Sequence, residues 1–229
     1  MLVDLHIHTR YSDGHSSPGA IIKVAIKRGI HCIAFTDHDD CRAFPKAMDY
    51  VRENHLERKI WILPGVEITC VENKIFSSSF YQRHLLLIGL DQKKLEDLLK
   101  NKKKYYLFPE VLKFAKKNKF LIIVPHPNMF GGFWSMSLFD VIKYAKYIDA
   151  IEEHNGTNRQ FFVGFIYKIL HRNRVDIAKI CHLPMMANSD AHMKFTVGRY
   201  FDTEILGRPK NKEELIKYIK RGKFKSHLR

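Results

Sequence analysis

Short apolar runs closed by polar clusters alternate along the chain with segments whose apolar residues return every three or four positions. These are the signatures of buried strands and of one-sided helices. Leu2 to His8 reads as a strand. Pro18 to Arg28 reads as a helix, opened by Ser16 or Ser17 with proline near its first position and closed by Gly29. Further strands are expected at His31 to Thr36, Ile60 to Ile68, His84 to Gly89, Phe120 to Val124, Ile148 to Glu152, Pro184 to Ala187 and near Tyr200 to Ile205. Further helices are expected at Phe44 to Glu57, Lys93 to Lys102, Glu110 to Asn118, Phe139 to Lys146, Phe161 to Cys181 and Lys212 to Lys220.

Strands alternating with helices predict parallel strands in an α/β barrel or an open sheet. The two differ in where functional groups gather. Candidate ligands follow nearly every strand here, and a barrel brings all strand ends to one mouth, whereas an open sheet offers mainly its switch point. A barrel is therefore the expected architecture. At 229 residues the chain is long enough to form it as a single domain, 1–229, that includes the late strand and helix of about 195–229. Ser77-Ser78-Ser79 and Phe130 to Ser137 read as loops over the mouth, and the loops Ile75 to Arg83 and Phe130 to Ser137 are expected to set specificity.

Composition narrows the picture. The chain is 45% hydrophobic, yet charges interrupt it everywhere, and no apolar run approaches the ~20 residues that would span a bilayer. Its first residues lack the basic start and long apolar segment of a signal peptide, which places the protein in the cytoplasm and away from membranes. Cys32, Cys41, Cys70 and Cys181 form no Cys-x-x-Cys pair and read as reduced, mostly buried thiols. Lys and Arg outnumber Asp and Glu by 39 to 24, a formal +15 that steers phosphates and nucleic acids toward the surface without reporting any chemistry. Lys102, Lys103 and Lys104, followed by Tyr105 and Tyr106, form the densest basic patch, which a helix end or connecting loop explains equally well.

The histidines carry more. Six of the thirteen, together with three carboxylates, fall at the ends of the short apolar runs, a distribution that looks like one polynuclear metal centre. In a strand, residues two apart face the same way, so His6 and His8 can hold one ion, and so can Asp190 and His192. Singly, His84 or His126 would be an ordinary packed or surface histidine; their place in an ordered series is what points to a metal.

The ordered series is specific. Asp4-Leu5-His6-Ile7-His8-Thr9, Ser12-Asp13-Gly14, Thr36-Asp37-His38-Asp39, Gly65-Val66-Glu67, His84-Leu85, His126-Pro127 and Ser189-Asp190-Ala191-His192 together resemble the motifs of the PHP (polymerase and histidinol phosphatase) metal-dependent phosphoesterases, over almost the whole chain. The resemblance implies a distorted seven-stranded, TIM-like (β/α) barrel and two or three divalent ions, Zn, Mn or Fe. It implies His6, His8, Glu67 and Asp190 around one ion, Glu67 bridging to a second held by His84 and His126, and Asp13, His38 and His192 on a third. Asp13 stands where some histidinol-phosphatase-like members carry His, so the chain resembles the nucleotide-phosphatase-like branch more.

Imidazole and carboxylate suit these metals, and a metal lowers the pKa of bound water from ~15.7 toward ~7. The expected nucleophile is thus a metal-activated hydroxide, with no side-chain nucleophile. Asp4 and Asp37 are expected to support the ligands rather than bind metal. Arg10 and Asn155 are candidates for substrate contact, with a surface salt bridge and a simple turn as their respective alternatives. The expected function is hydrolysis of a small phosphorylated metabolite or nucleotide. The alternatives are a nuclease acting on a nucleic-acid phosphodiester, an amidohydrolase-like hydrolase, and a non-catalytic accessory module.

Overall fold

The computed structural model describes residues 1–72, 82–100, 106–127, 135–156 and 175–228. Among these residues ten strands form one sheet. In chain order they are β1 (Leu2–Asp4), β2 (Ile30–Phe35), β3 (Trp61–Val71), β4 (Arg83–Ile88), β5 (Tyr106–Leu107), β6 (Leu121–Val124), β7 (Ala150–Asn155), β8 (Met185–Asn188), β9 (Phe201–Ile205) and β10 (Phe224–Leu228). The helices are α1 (Pro18–Lys27), α2 (Ala43–Glu53), α3 (Gln92–Lys100), α4 (Phe108–Lys117), α5 (Leu138–Tyr144) and α6 (Lys212–Lys220), with residues 175–180 also helical.

Seven strands run round a barrel in the order β1-β2-β3-β4-β6-β7-β8, while β9 and β10 continue outward from β1 and β5 pairs with β3. The ring nearly closes. Beyond the ends of β8 and β1, Ala191 pairs with Ile7 in a parallel bridge, and His8 N–H donates to the Ala191 carbonyl at 2.9 Å. Lower down, the Thr203 hydroxyl of β9 accepts from Ala187 N–H at 2.9 Å and donates to its carbonyl at 2.8 Å, standing in for a missing ladder partner on β8.

The fold departs from an all-parallel barrel at one strand of the ring. β4 runs antiparallel to both β3 and β6. Its first residues, not its last, therefore stand at the mouth, which is how His84 reaches the same end as residues that follow parallel strands.

Alternation sorts each strand between two environments. Leu63 on β3, Leu86 and Ile88 on β4, Leu121 and Ile123 on β6, Ala150 on β7 and Met186 on β8 form one apolar cluster inside the ring, closed at the bottom by Leu215, Ile216 and Ile219 of α6. Continuing the same parity toward the mouth gives Glu67 on β3, His84 on β4, Glu152 on β7 and Asn188 on β8. One inner face thus changes from apolar to polar along its length. The opposite faces pack against the helices: Ile33, Phe35 and Ile62 against α1 and α2, and Val66, Ile68, Leu85 and Leu87 against α4 and α5.

The expected helix from Phe44 to Glu57 stops at Glu53, where Asn54 caps it and His55 turns the chain with φ +53°. The expected Phe161 to Cys181 helix lies outside the described residues up to residue 174, as do most of the Ile75 to Arg83 and Phe130 to Ser137 loops and the run from Lys102 to Tyr105. The short β5 and the terminal β10 have no counterpart among the expected strands. Among the described residues no helix is long and apolar enough to cross a membrane.

Candidate metal centre

Regular pairing of β1 ends at Asp4, so His6 and His8 belong to an irregular extension held by side chains. Leu5 N–H donates to Asn188 Oδ1 at 2.9 Å, and Ile7 N–H donates to Thr36 Oγ1 at 3.1 Å. Ile7 packs outward against α1 and α2, which turns His6 and His8 together into the mouth. The Asp13 loop folds back over this extension. Gly14 is required there, because a Cβ would lie 2.6 Å from the His8 carbonyl.

All nine expected metal ligands meet at the mouth. Four groups have ligand atoms within 4.8 Å of one another: His8, Asp13, His38 and His192; His6, His8 and Asp190; His6, Glu67 and His126; and His38, Glu67 and His84. His6 and Glu67 are fully buried, while the Asp13 side chain is 52% exposed and those of His38 and His192 are each 31% exposed. The cluster is therefore closed on the barrel side and open at Asp13, His38 and His192. A pocket of about 370 Å³ lies over it, lined also by Thr69 and Gln82.

The donor set fits a cation. His6 Nε2 lies 3.1 Å from His8 Nε2, 2.9 Å from Glu67 Oε2 and 3.3 Å from Asp190 Oδ1. His8 Nε2 lies 3.1 Å from Glu67 Oε2 and 3.2 Å from Asp190 Oδ1. Ligands placed tetrahedrally at ~2.0–2.1 Å from a zinc-sized ion stand about 3.3 Å apart, close to these spacings. His6 Nδ1 is 2.9 Å from Glu152 Oε1, and as an N–H donor there it turns a bare Nε2 lone pair toward two carboxylate oxygens. Such lone pairs repel unless a proton or a metal ion lies among them.

Electrostatics follows the same convergence. Burial opposes charge on His6, but Asp190, Glu152 and Glu67 outweigh it and hold its pKa well above that of free imidazole. His8 is likewise pushed up, to about 10, by Asp190 and Glu67 against the effect of burial. Burial would raise Glu67 and Asp190, yet the surrounding imidazoles hold both well below the usual carboxylate range. His38 goes the other way. Burial, with His8 and His84 nearby, lowers it to about 4, so its lone pair is available at neutral pH.

Glu152 is a residue that the sequence motifs do not single out. It is fully buried and accepts from His6, the Asn188 amide, His126 N–H and the Asn155 amide at 2.8–2.9 Å. The one signal for it is its place on an inward-facing strand position ahead of a polar run. Asn155, expected to contact substrate, is instead fully buried and spends its amide on Glu152. A register shift in β7 between Glu152 and His154 sets Asn155 opposite Asn188 on the inner face, beside Glu152, and Gly156 passes close against Ser189.

Asp37 accepts from Thr9 N–H, Thr9 Oγ1 and Ser12 Oγ at 2.7–2.8 Å and so fixes the loop that carries Asp13. Asp4 is raised to about 6 by burial; its oxygens accept from Ser189 N–H at 3.0 Å and Gly198 N–H at 3.1 Å, which anchors the segment bearing Asp190. Arg10 is exposed beside the mouth. His126 and Asp190 have φ of +29° and +48°, a backbone region that L-residues avoid and that recurs at functional sites.

The PHP domain profile matches residues 4–219. The 5'-3' exoribonuclease Rnm of Salmonella typhimurium is 35% identical over 71 residues, a stretch covering 31% of this chain and 24% of that protein. The uncharacterized protein MJ1587 of Methanocaldococcus jannaschii is 32% identical over 139 residues, 56% of this chain and 68% of that one. A two-domain Bacteroides vulgatus protein, described as containing a predicted PHP-like metal-dependent phosphoesterase, superposes with a TM-score of 0.72 at 17% identity, covering 99% of this chain and 64% of the other. The chain thus aligns with under two thirds of the length of both the exoribonuclease and the B. vulgatus protein.

Proposed function

The chain belongs to the PHP domain family, and from that membership we propose that it hydrolyses phosphate esters using divalent metal ions held by the nine side chains at its barrel mouth. The observation that carries this reading is the crowding of His6 Nε2 and His8 Nε2, which lie 3.1 Å from each other and 2.9–3.3 Å from both Glu67 Oε2 and Asp190 Oδ1. When bound, two or three ions of Zn, Mn or Fe supply Lewis acidity toward phosphoryl oxygens and lower the pKa of water.

The chain's own contribution is placement. Glu67 would be shared between ions, since its Oε2 faces His6 and His8 while its Oε1 lies 2.8 Å from His84 Nδ1 and 3.1 Å from His126 Nε2. Glu152 holds His6 by Nδ1 so that Nε2 points inward, and it fixes the backbone of His126 at the same time. Asp13, His38 and His192 stand where the centre meets solvent, the side from which an anionic substrate can approach. Three carboxylates partly neutralise the ions and leave net positive charge for a phosphate. No side chain has to act as nucleophile.

The substrate we favour is the phosphomonoester of a small metabolite or nucleotide, for which a pocket of about 370 Å³ is of suitable size. Replacing His126 or Asp190 by Ala should abolish Mn-, Zn- or Fe-supported phosphomonoester hydrolysis while the protein remains folded. Full activity in either purified variant would contradict the assignment. A nuclease is the second reading, favoured by the 35% identity to a protein named as an exoribonuclease. Efficient oligonucleotide cleavage with no monoesterase activity under any of the three metals would put it first.

A further inference from the structure

Ten of the described residues line the pocket over the metal centre, and eight of them are proposed metal ligands. Thr69 and Gln82 are the other two. With phosphoryl oxygens on the ions, whatever else of a substrate enters this pocket meets these two side chains. Thr69 lies two residues beyond Glu67 on β3, so alternation turns it to the same inner face, and it pairs in register with His84 on β4. Gln82 stands two residues before His84. Both are half-buried, and among the described residues no hydrogen bond engages either side chain.

Their backbones, by contrast, are anchored. Asp39, in the left-handed region at φ +48°, accepts from Thr69 N–H at 2.9 Å, while its own N–H donates to the Glu67 carbonyl at 2.9 Å. Arg83, which follows Gln82, donates from Nη2 to Asp140 Oδ1 at 3.0 Å and lies 3.8 Å from Glu72 Oε2. Polar groups without partners of their own, carried on held backbone, can meet a ligand with little further loss of freedom.

The chemistry of the pair selects what they meet. Among the described residues no Lys or Arg lines the pocket, and every acid in it is a proposed metal ligand. A cationic alcohol therefore finds no free counter-charge there. A hydroxyl and a carboxamide both donate and accept, which matches hydroxyl groups.

We propose that Thr69 and Gln82 bind the leaving alcohol of the substrate, and that this alcohol is neutral and hydroxyl-bearing, as in a sugar phosphate. This rests on the phosphoesterase reading above and narrows it.

The test compares ribose 5-phosphate, phosphoethanolamine and phenyl phosphate as substrates of the Mn-loaded full chain, with bound Mn per chain measured on every sample. Phenyl phosphate has no hydroxyl on its leaving group, so it reports the metal centre. The wild type should favour ribose 5-phosphate over phosphoethanolamine by ~10-fold or more in kcat/KM, from two hydrogen bonds worth roughly 3- to 10-fold each. T69V and Q82L should each lower kcat/KM for ribose 5-phosphate relative to phenyl phosphate by about 3- to 10-fold, through KM, at wild-type Mn content. T69S, which keeps the hydroxyl, should hold the wild-type ratio. Turnover of phenyl phosphate with that ratio unmoved in T69V and Q82L, an equal loss in T69S, or a preference for phosphoethanolamine overturns this inference alone. No turnover of any of the three by Mn-loaded wild type overturns the phosphoesterase reading and this inference with it.

Discussion

Glu152 holds four donors with two oxygens, and every one of those donors belongs to a residue that shapes the mouth. Glu152→Gln keeps the volume but turns an NH2 group toward one pair of donors, so either His6 or His126 loses its restraint. Metal affinity should fall by about 10- to 100-fold with the fold retained, measured by competition with a chelator; unchanged affinity would remove Glu152 from its supporting role. Protons compete for the same atoms. Because His6 and His8 are held above the ordinary imidazole value by Asp190, Glu152 and Glu67, they carry protons at neutral pH that an incoming ion must displace. Loading should therefore weaken as pH falls and strengthen as pH rises toward the His8 value of about 10. Calorimetric titration with Mn in two buffers of different ionisation enthalpy should show a net release of about one proton or more for the first ion, and no release would contradict this picture. The nine proposed ligands are legible in the sequence because chemistry-bearing residues sit at strand ends in a fixed order. Glu152 and the strained backbone of His126 and Asp190 are not, since a buried supporting carboxylate looks like any strand-end Glu and a φ of +29° leaves no trace in residue type.

At the scale of elements, the sequence predicts most strands and helices to within a few residues, because their apolar periodicity reflects burial on one face or two. Strand direction has no such signature. β4 reads the same forward or backward, and its antiparallel pairing with β3 and β6 is fixed by where the chain re-enters the sheet. Ring closure is equally silent in the sequence, since it runs through one isolated bridge, Ile7 to Ala191, and through side-chain bonds such as those of the Thr203 hydroxyl to Ala187. Thr203→Val keeps the shape but leaves the Ala187 N–H and carbonyl, both bonded to that hydroxyl, without it in a fully buried position. A loss of about 2–6 kcal/mol is expected from urea unfolding, at roughly 1–3 kcal/mol for each of the two unsatisfied groups. An unchanged midpoint would mean that the bridge between Ile7 and Ala191 closes the ring alone.

Across the whole molecule, the inner face of the barrel runs from an apolar floor closed by α6 to a polar rim of histidines and carboxylates. The floor supplies stability and the rim supplies chemistry, so ligand substitutions should cost activity far more than folding. The formal charge of +15 acts at longer range by drawing anions toward the open side, where Asp13, His38 and His192 face solvent. The central claim is that these nine side chains form one polynuclear centre for phosphate-ester hydrolysis. Its most direct test is a Mn titration of metal-stripped protein in which bound ions per chain and turnover of a phosphomonoester are read on the same samples. The account predicts that activity is absent in the stripped protein, rises as a second ion binds, and is complete at two or three ions per chain. Full turnover in the stripped protein, or no bound ion at saturating Mn, would contradict it.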